Sequence, residues 1–154
     1  MEDSMTPLLE VDNLTIGFGR FDPVVKDVSF AVMPGQTLAL VGESGSGKTL
    51  TCRTVLRILP KTATIRSGRI SFRARRGDLD ILTLGKRVLR DVRGNDISMI
   101  FQEPMRSLSP LHRIGNQVSE VLWIHKNMGR SKARRLVLDT FARVGFPDPE
   151  RAYS

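Results

Sequence analysis

The sequence has a single cysteine, Cys52, in 154 residues, so it cannot form an internal disulfide. That scarcity is typical of proteins in reducing compartments. No uninterrupted apolar run approaches the ~18 residues that a membrane-spanning helix needs. Residues 1–4 are acidic and provide no apolar core for a secretion signal. We therefore expect neither a membrane-embedded nor a secreted protein.

Basic residues outnumber acidic ones in the later part of the chain but not in the first. Residues 1–60 carry 5 Lys and Arg against 7 Asp and Glu, net −2, whereas residues 61–154 carry 19 against 9, net +10. Such a basic segment can meet nucleic acid, an anionic membrane surface or an acidic partner, or it can be an ordinary solvated surface.

The chain is 40% hydrophobic and 26% charged, which excludes general disorder, and its length suits one domain.

The first third of the chain has the short-period alternation of β-strands. We predict strands over residues 8–16 and 24–32, joined as an antiparallel layer. A further short strand at residues 69–73 carries outward-facing arginines. Charge on a strand discourages aggregation, so this pattern favours the edge of a sheet.

Two apolar runs, residues 37–41 and 97–101, predict strands buried on both faces of a parallel sheet. The first run leads into a loop rich in Gly and Ser, and a helix over residues 49–59 follows, stopped by Pro60. Cys52 lies one turn into this helix. We interpret it as a small buried hydrophobic residue, with a thiol near a ligand and open to modification as the alternative.

The last forty or so residues have helical periodicity. We predict a helix from about residue 115, with Trp123 as a core residue. Earlier in the chain, residues 83–93 have the pattern of a shorter basic helix. Another helix begins at Ser131, its expected N-cap, and Gly145 is placed to close it. The apolar stripe of this last helix comprises Ala133, Leu136, Val137, Phe141 and Val144.

Residues 42–49 match the pattern G-x-x-x-x-G-K-[ST] at each fixed position. Glycines let successive backbone N–H groups curl around phosphate oxygens, and the following helix points its positive N-terminus at them. Lys48 is a mobile cation suited to β- and γ-phosphates, and the Thr49 hydroxyl is a hard oxygen ligand for Mg²⁺. A chance match has a probability on the order of one per cent. We therefore predict phosphate binding, with Glu43 as a residue of the loop surface rather than a catalytic base.

Two stretches carry a wider resemblance: VGESGSGKT at residues 41–49 and ISMIFQEPMRSLSP at residues 97–110. The second is the more telling, because it contains no general phosphate-loop feature. Together they resemble the ATP-binding-cassette (ABC) ATPases of membrane transporters, and more narrowly the ATPase subunits of bacterial oligopeptide and dipeptide importers. The resemblance covers essentially the whole chain. It implies an α/β fold class, a partial P-loop NTPase core with an antiparallel β layer and the start of a helical subdomain.

The resemblance also implies a division of the chain into three parts. The antiparallel β part would comprise residues 1–36 and 64–76. The P-loop core part would comprise residues 37–60 and 95–104. Residues 105–154 would form an incomplete helical subdomain that docks on a permease.

Site residues follow from the same resemblance. Phe18 occupies the position of the aromatic residue that stacks on adenine in the family, with Phe21 as its rival. Gln102 matches the family glutamine that contacts Mg²⁺ and the attacking water, so Thr49 and Gln102 would be the Mg²⁺ ligands. The residues expected to bind ATP are Phe18, Gly42, Glu43, Ser44, Gly45, Ser46, Gly47, Lys48, Thr49 and Leu50.

The implied cofactors are ATP and Mg²⁺. The implied partners are membrane-spanning permease subunits, a second ATPase subunit and, indirectly, a substrate-binding protein, at the cytoplasmic face of the bacterial membrane. No base-reading motif supports the competing hypothesis of a nucleic-acid-binding protein, so nucleic acid is not expected as a partner.

Several catalytic elements of the family do not occur in these 154 residues: the Leu-Ser-Gly-Gly-type signature, the acidic Mg²⁺ strand, the catalytic glutamate and the switch histidine. We therefore expect a chain of these residues to bind nucleotide at most. A non-hydrolysing regulatory or remnant protein is the alternative. In the family, some strands of the parallel sheet come from a part of the sequence that these residues do not include. Without those strands, residues 37–41 and 97–101 would lack sheet neighbours and expose sheet edges and apolar faces.

Overall fold

The computed structural model describes residues 6–75, 77–103 and 108–154. The chain divides into two compact units, Met1–Arg90 and Asp91–Ser154. Within the described ranges, no helix is both long enough and apolar enough to cross a membrane. Residues 104–107 of the second family-like stretch lie outside the described residues.

The first unit contains a four-stranded antiparallel sheet. Its strands are β1 (Leu9–Phe18), β2 (Val25–Val32), β3 (Ala63–Ala74) and β4 (Gly77–Asp80), in the order β2-β1-β3-β4. The predicted antiparallel layer of β1 and β2 is confirmed. Its core side buries apolar side chains of β1 and β3, each worth roughly 1.5–3 kcal/mol. They are Val11, Leu14, Ile16, Ile70 and Phe72.

The edge position predicted for residues 69–73 is wrong. They belong to β3, which lies between β1 and β4. The short strand β4 runs back along β3 and places Asp78 opposite Arg73. The charges that suggested an exposed edge therefore face opposite charges on a neighbouring strand.

The helix α1 (Lys48–Val55) starts at the glycine-rich loop but ends earlier than the sequence predicted. Arg57 has a left-handed backbone with φ +51. Its N–H donates to Thr54 O at 2.8 Å, and Ile58 N–H donates to Arg53 O at 3.0 Å. This hydrogen-bond pair closes the helix as a Schellman motif. Pro60 is therefore not what ends the helix.

Neither of the two buried strands predicted for residues 37–41 and 97–101 forms in the described part of the chain. Residues 37–41 have no regular structure, and Ile97 makes only an isolated bridge to Arg93. Val41 is 92% exposed and Ile100 is 94% exposed. A parallel strand needs partners for its backbone N–H and C=O groups, and an apolar run does not supply them. The exposure of Val41 and Ile100 agrees with the expected exposure of apolar faces, but the expected sheet edges do not form within these two described segments.

Helices dominate the rest of the chain. They are α2 (Lys86–Val92), α3 (Ile114–Lys126), α4 (Arg130–Arg143) and α5 (Pro149–Tyr153). The predicted helices near residues 83–93 and 115 are confirmed. Trp123 is only half-buried and lies under the Arg130 guanidinium, 5.9 Å from the ring centroid.

The ends of α4 confirm one prediction and correct another. Its N-cap is Gly129, so Ser131 lies inside the first turn and is not the cap. Gly145 closes the helix as expected, with φ +88. The Phe146 N–H donates to Phe141 O at 3.0 Å, and the two rings lie 4.9 Å apart. The predicted stripe is buried at Ala133, Val137 and Phe141 but exposed at Leu136 and Val144.

Candidate nucleotide-binding site

The loop at residues 42–47 turns twice through left-handed backbone before α1 begins. Gly45 has φ +83 and Gly47 has φ +88, conformations that glycine adopts without steric cost. The Ser46 N–H donates to Glu43 O at 3.3 Å. Among the residues that the structure describes, no side chain caps the start of α1. The N–H groups of its first turn are therefore available to an anionic ligand.

The Lys48 side chain folds back over this loop. Its Nζ donates to Gly42 O at 2.7 Å, to Glu43 O at 2.6 Å and to Ser46 Oγ at 3.3 Å. All three acceptors are uncharged. A phosphate oxygen would give the ammonium a stronger, charge-assisted hydrogen bond. The position of Lys48 therefore fits a cation that binds phosphate at this loop.

The loop packs against the beginning of β2. A Cβ atom at Gly47 would lie 2.6 Å from Val25 Cγ2 and 3.4 Å from Val24 O. Val24 in turn donates its N–H to Ile16 O at 2.9 Å, near the end of β1. The glycine-rich loop therefore lies beside the turn that joins β1 to β2.

Both aromatic candidates belong to that turn. Phe18 is the last residue of β1, opposite Ala63, and is half-buried. Phe21 is 81% exposed, and its N–H donates to Phe18 O at 3.2 Å. Both aromatic candidates therefore belong to the same turn as Val24, which contacts the glycine-rich loop at Gly47.

The remaining predicted residues of α1 and its loop are mostly exposed. Thr49 and Ser44 are exposed and Leu50 is half-buried. Glu43 is exposed, which confirms its interpretation as a residue of the loop surface. Cys52 is exposed, so its interpretation as a small buried residue is wrong.

Two threonines that the sequence analysis did not single out donate their side-chain hydroxyls to backbone carbonyls one turn earlier. Thr51 Oγ1 donates to Gly47 O at 3.0 Å, and Thr54 Oγ1 donates to Leu50 O at 2.7 Å. Both residues are buried. The sequence gives no signal for them, because any threonine inside a helix has a backbone carbonyl four residues before it.

Gln102 lies in the second unit and is exposed. Its contact with Mg²⁺ stays a prediction. The end of the family-like stretch is held by Gln117 of α3. The Gln117 side chain accepts from Ser109 N–H at 2.8 Å and donates to Ser109 O at 3.0 Å and to His112 O at 2.8 Å.

Comparisons with known proteins agree with the motif analysis. The family model described as ABC transporter matches residues 25–152. The peptidoglycan transport ATP-binding protein YejF of Agrobacterium fabrum is 46% identical over 154 residues, covering 97% of this chain and 28% of that protein. The dipeptide transport ATP-binding protein DppD of Bacillus subtilis is 40% identical over 149 residues, covering 94% and 43%.

A third relative, the dipeptide transport ATP-binding protein DppD of Lactococcus lactis, is 44% identical over 147 residues, covering 93% of this chain and 41% of that protein. The chain therefore spans less than half the length of these curated relatives. The family match covers most of the chain and includes the glycine-rich loop, Lys48 and Gln102. The resemblance to ABC ATPases is thus confirmed, and the chain belongs to the ABC transporter family.

Proposed function

We propose that the chain is the nucleotide-binding part of an ABC importer ATPase for peptides or similar small solutes. The observation that supports it most is the Lys48 ammonium, which three uncharged acceptors hold over the glycine-rich loop at the start of α1, where no described side chain caps the helix. A cation, free helix N–H groups and left-handed glycines at one place suit a polyphosphate. The names of the two DppD relatives, dipeptide transport ATP-binding proteins, support peptides as the transported class.

The residues of the loop fit ATP with Mg²⁺. Lys48 would bind the β- and γ-phosphates, and residues 42–47 would surround them with backbone N–H groups. Thr49, exposed in the first turn of α1, offers a hydroxyl to Mg²⁺, and Gln102 is proposed as its second protein ligand. Phe18 or Phe21 would stack on the purine, since an aromatic face in an exposed turn suits a flat ring. Bound Mg²⁺ would neutralise phosphate charge.

The proposed partners are permease subunits and a second ATPase subunit, at the cytoplasmic face of the bacterial membrane. Apolar side chains exposed on α3 support a permease contact. Ile114 is 37% exposed, Val121 is 48% exposed and Ile124 is 53% exposed. Their spacing of seven and three residues places them along one side of the helix. A permease helix packed there would remove this apolar surface from water.

We further propose that the 154 residues bind ATP without hydrolysing it at the rate of a complete cassette. Phosphoryl transfer needs a positioned water and charge stabilisation. The sequence lacks the family elements that supply the water-positioning carboxylate and the opposing signature.

The test is calorimetric titration of the chain with ATP in the presence of Mg²⁺. Lys48→Ala should weaken binding by roughly 10- to 100-fold, because a hydrogen bond to a charged group is worth about 1.5–3 kcal/mol. Lys86→Ala, which removes an exposed lysine at the start of α2, is the matched control and should bind like the wild type.

Phosphate release from the same samples separates binding from turnover. We expect release near background for all three proteins. No ATP binding by the wild type, or an equal loss in both lysine variants, would refute the proposed site. Sustained release at the rate of a complete cassette would refute the absence of hydrolysis.

A further inference from the structure

Arg66 is the extra residue of a bulge in β3. Along the β1–β3 pair, Thr15 faces Ser67, but the next residue of β1, Ile16, faces Ile65. Arg66 is left over between them. A bulge turns its extra side chain out of the regular alternation, and bulges are common beside functional sites. Here it directs an arginine along the sheet toward the turn after β1.

The Arg66 guanidinium binds the backbone of that turn. Its Nη2 donates to Gly19 O at 3.2 Å and also to Phe21 O. It occupies the space where Gly17 has no side chain, since a Cβ atom at Gly17 would lie 2.7 Å from Nη2 and 2.9 Å from Cζ. The arginine reaches both carbonyls because a glycine faces it.

These contacts fix the segment that carries both aromatic candidates. Gly19 is in the left-handed region with φ +54, and the Phe21 N–H donates back to Phe18 O at 3.2 Å. The residues of the turn from Gly19 to Asp22 are all exposed, so burial does not fix them. The Arg66 guanidinium is a charged donor that binds two carbonyls of this short turn, those of Gly19 and Phe21. These hydrogen bonds reduce the motion of the turn and of the aromatic residues in it. A ring held in one place loses less entropy when a base stacks on it.

We propose that Arg66 is a positioning residue for the base of the bound nucleotide: it orders the turn at residues 18–21 so that an aromatic ring is presented to the purine. The inference rests on the proposed ATP binding and deepens it. It divides the site into two parts, because Arg66 acts on base recognition whereas Lys48 acts on the phosphates.

The test compares ATP with inorganic tripolyphosphate, which carries the phosphates but no base. In calorimetric titrations with Mg²⁺, Arg66→Ala should weaken ATP binding by about three- to tenfold, the loss expected when one ordering contact is removed. Tripolyphosphate binding should stay within about twofold of the wild type. A merely structural role for Arg66 would weaken both ligands together.

Further variants keep the interpretation sharp. Arg66→Lys retains the charge and a single donor nitrogen in place of the guanidinium, so it should restore part of the ATP affinity. Gly17→Ala should reproduce the selective ATP loss, because its Cβ displaces the guanidinium. Combining Gly17→Ala with Arg66→Ala should add little, since both act on one contact. Arg69→Ala, at an exposed arginine of the same strand, is the matched control.

Hydrogen exchange of the Phe21 N–H reports on the turn itself without any ligand, and it should become faster in Arg66→Ala. An unchanged exchange rate or an unchanged ATP affinity would overturn the positioning role, as would equal losses for ATP and tripolyphosphate. A wild type that binds tripolyphosphate as tightly as ATP would overturn base recognition, and the positioning role with it, but not the binding of phosphates at the glycine-rich loop. A wild type that binds neither ligand would overturn the proposed function itself, and the positioning role with it.

Discussion

Gly47 and Val25 lie so close together that a Cβ atom on the glycine would be 2.6 Å from Val25 Cγ2. This contact joins the end of the glycine-rich loop to the first residue of β2. Gly47 also has φ +88, in the region that residues with side chains rarely adopt. Two independent constraints, backbone conformation and lack of space, therefore require glycine at the position just before Lys48.

Gly47→Ala should be strongly destabilising for this reason. We expect the free energy of unfolding to fall by about 2–4 kcal/mol, from left-handed backbone strain and overpacking together. ATP affinity should fall as well, because the loop must shift. Urea unfolding measures the first effect and calorimetry the second. Gly85→Ala, where nothing lies within 4 Å of the new Cβ, is the control. It should cost no more than about 1 kcal/mol, because only the preference for glycine over alanine before α2 is lost.

Ser119 and Tyr153 should be energetically coupled. Ser119 is fully buried in α3, and its Oγ lies 3.0 Å from the Tyr153 hydroxyl on α5. Tyr153→Phe leaves the serine hydroxyl without this partner and should cost about 1–2 kcal/mol. The double variant with Ser119→Ala should cost less than the two single variants combined. Strictly additive costs in urea unfolding would contradict the coupling, and Ser131→Ala at an exposed position serves as the neutral control.

Motifs of local sequence predicted the site better than patterns of hydrophobicity predicted the sheet. The glycine-rich loop, Lys48 and the cap at Gly145 depend on a few consecutive residues, and each is where the sequence placed it. The bulge at Arg66 depends on the register between β1 and β3, which are distant in sequence. Sequence reasoning therefore named the residues of the glycine-rich loop but missed Arg66, whose guanidinium binds the neighbouring turn.

The same distinction explains the failed strands. Residues 37–41 and 97–101 have the composition of buried parallel strands, but composition does not provide a neighbour to pair with. The prediction for residues 69–73 was wrong for the opposite reason: a strand predicted at the sheet edge has a neighbour. That neighbour is β4, which the sequence pattern of Gly77–Asp80 hardly suggested. A strand forms only when a second segment pairs with it. Of these pairs, the sequence predicted that of β1 and β2, which follow each other along the chain.

Cys52 should react with thiol reagents in the folded protein. It is exposed on α1, three residues after the exposed Thr49 and therefore on the same side of the helix. We expect a bulky maleimide adduct at Cys52 to weaken ATP binding several-fold by crowding the start of α1. A small methylthio adduct should have little effect. Equal ATP affinities of all three forms would show that the adduct does not reach the ligand, and Cys52→Ser provides the unlabelled control.

The exposed apolar residues of segments 37–41 and 97–101, where the predicted strands do not form, should tolerate polar substitution. Val41 is 92% exposed and Ile100 is 94% exposed, so neither side chain loses apolar burial when it is replaced. We expect Val41→Ser and Ile100→Ser to change the free energy of unfolding by less than about 0.5 kcal/mol. Leu14→Ala in the first unit and Val137→Ala in the second, at buried positions, should cost several times more, with about 2–5 kcal/mol expected for the leucine. A loss at Val41 as large as that at Leu14 would mean that residues 37–41 are packed in a sheet in solution.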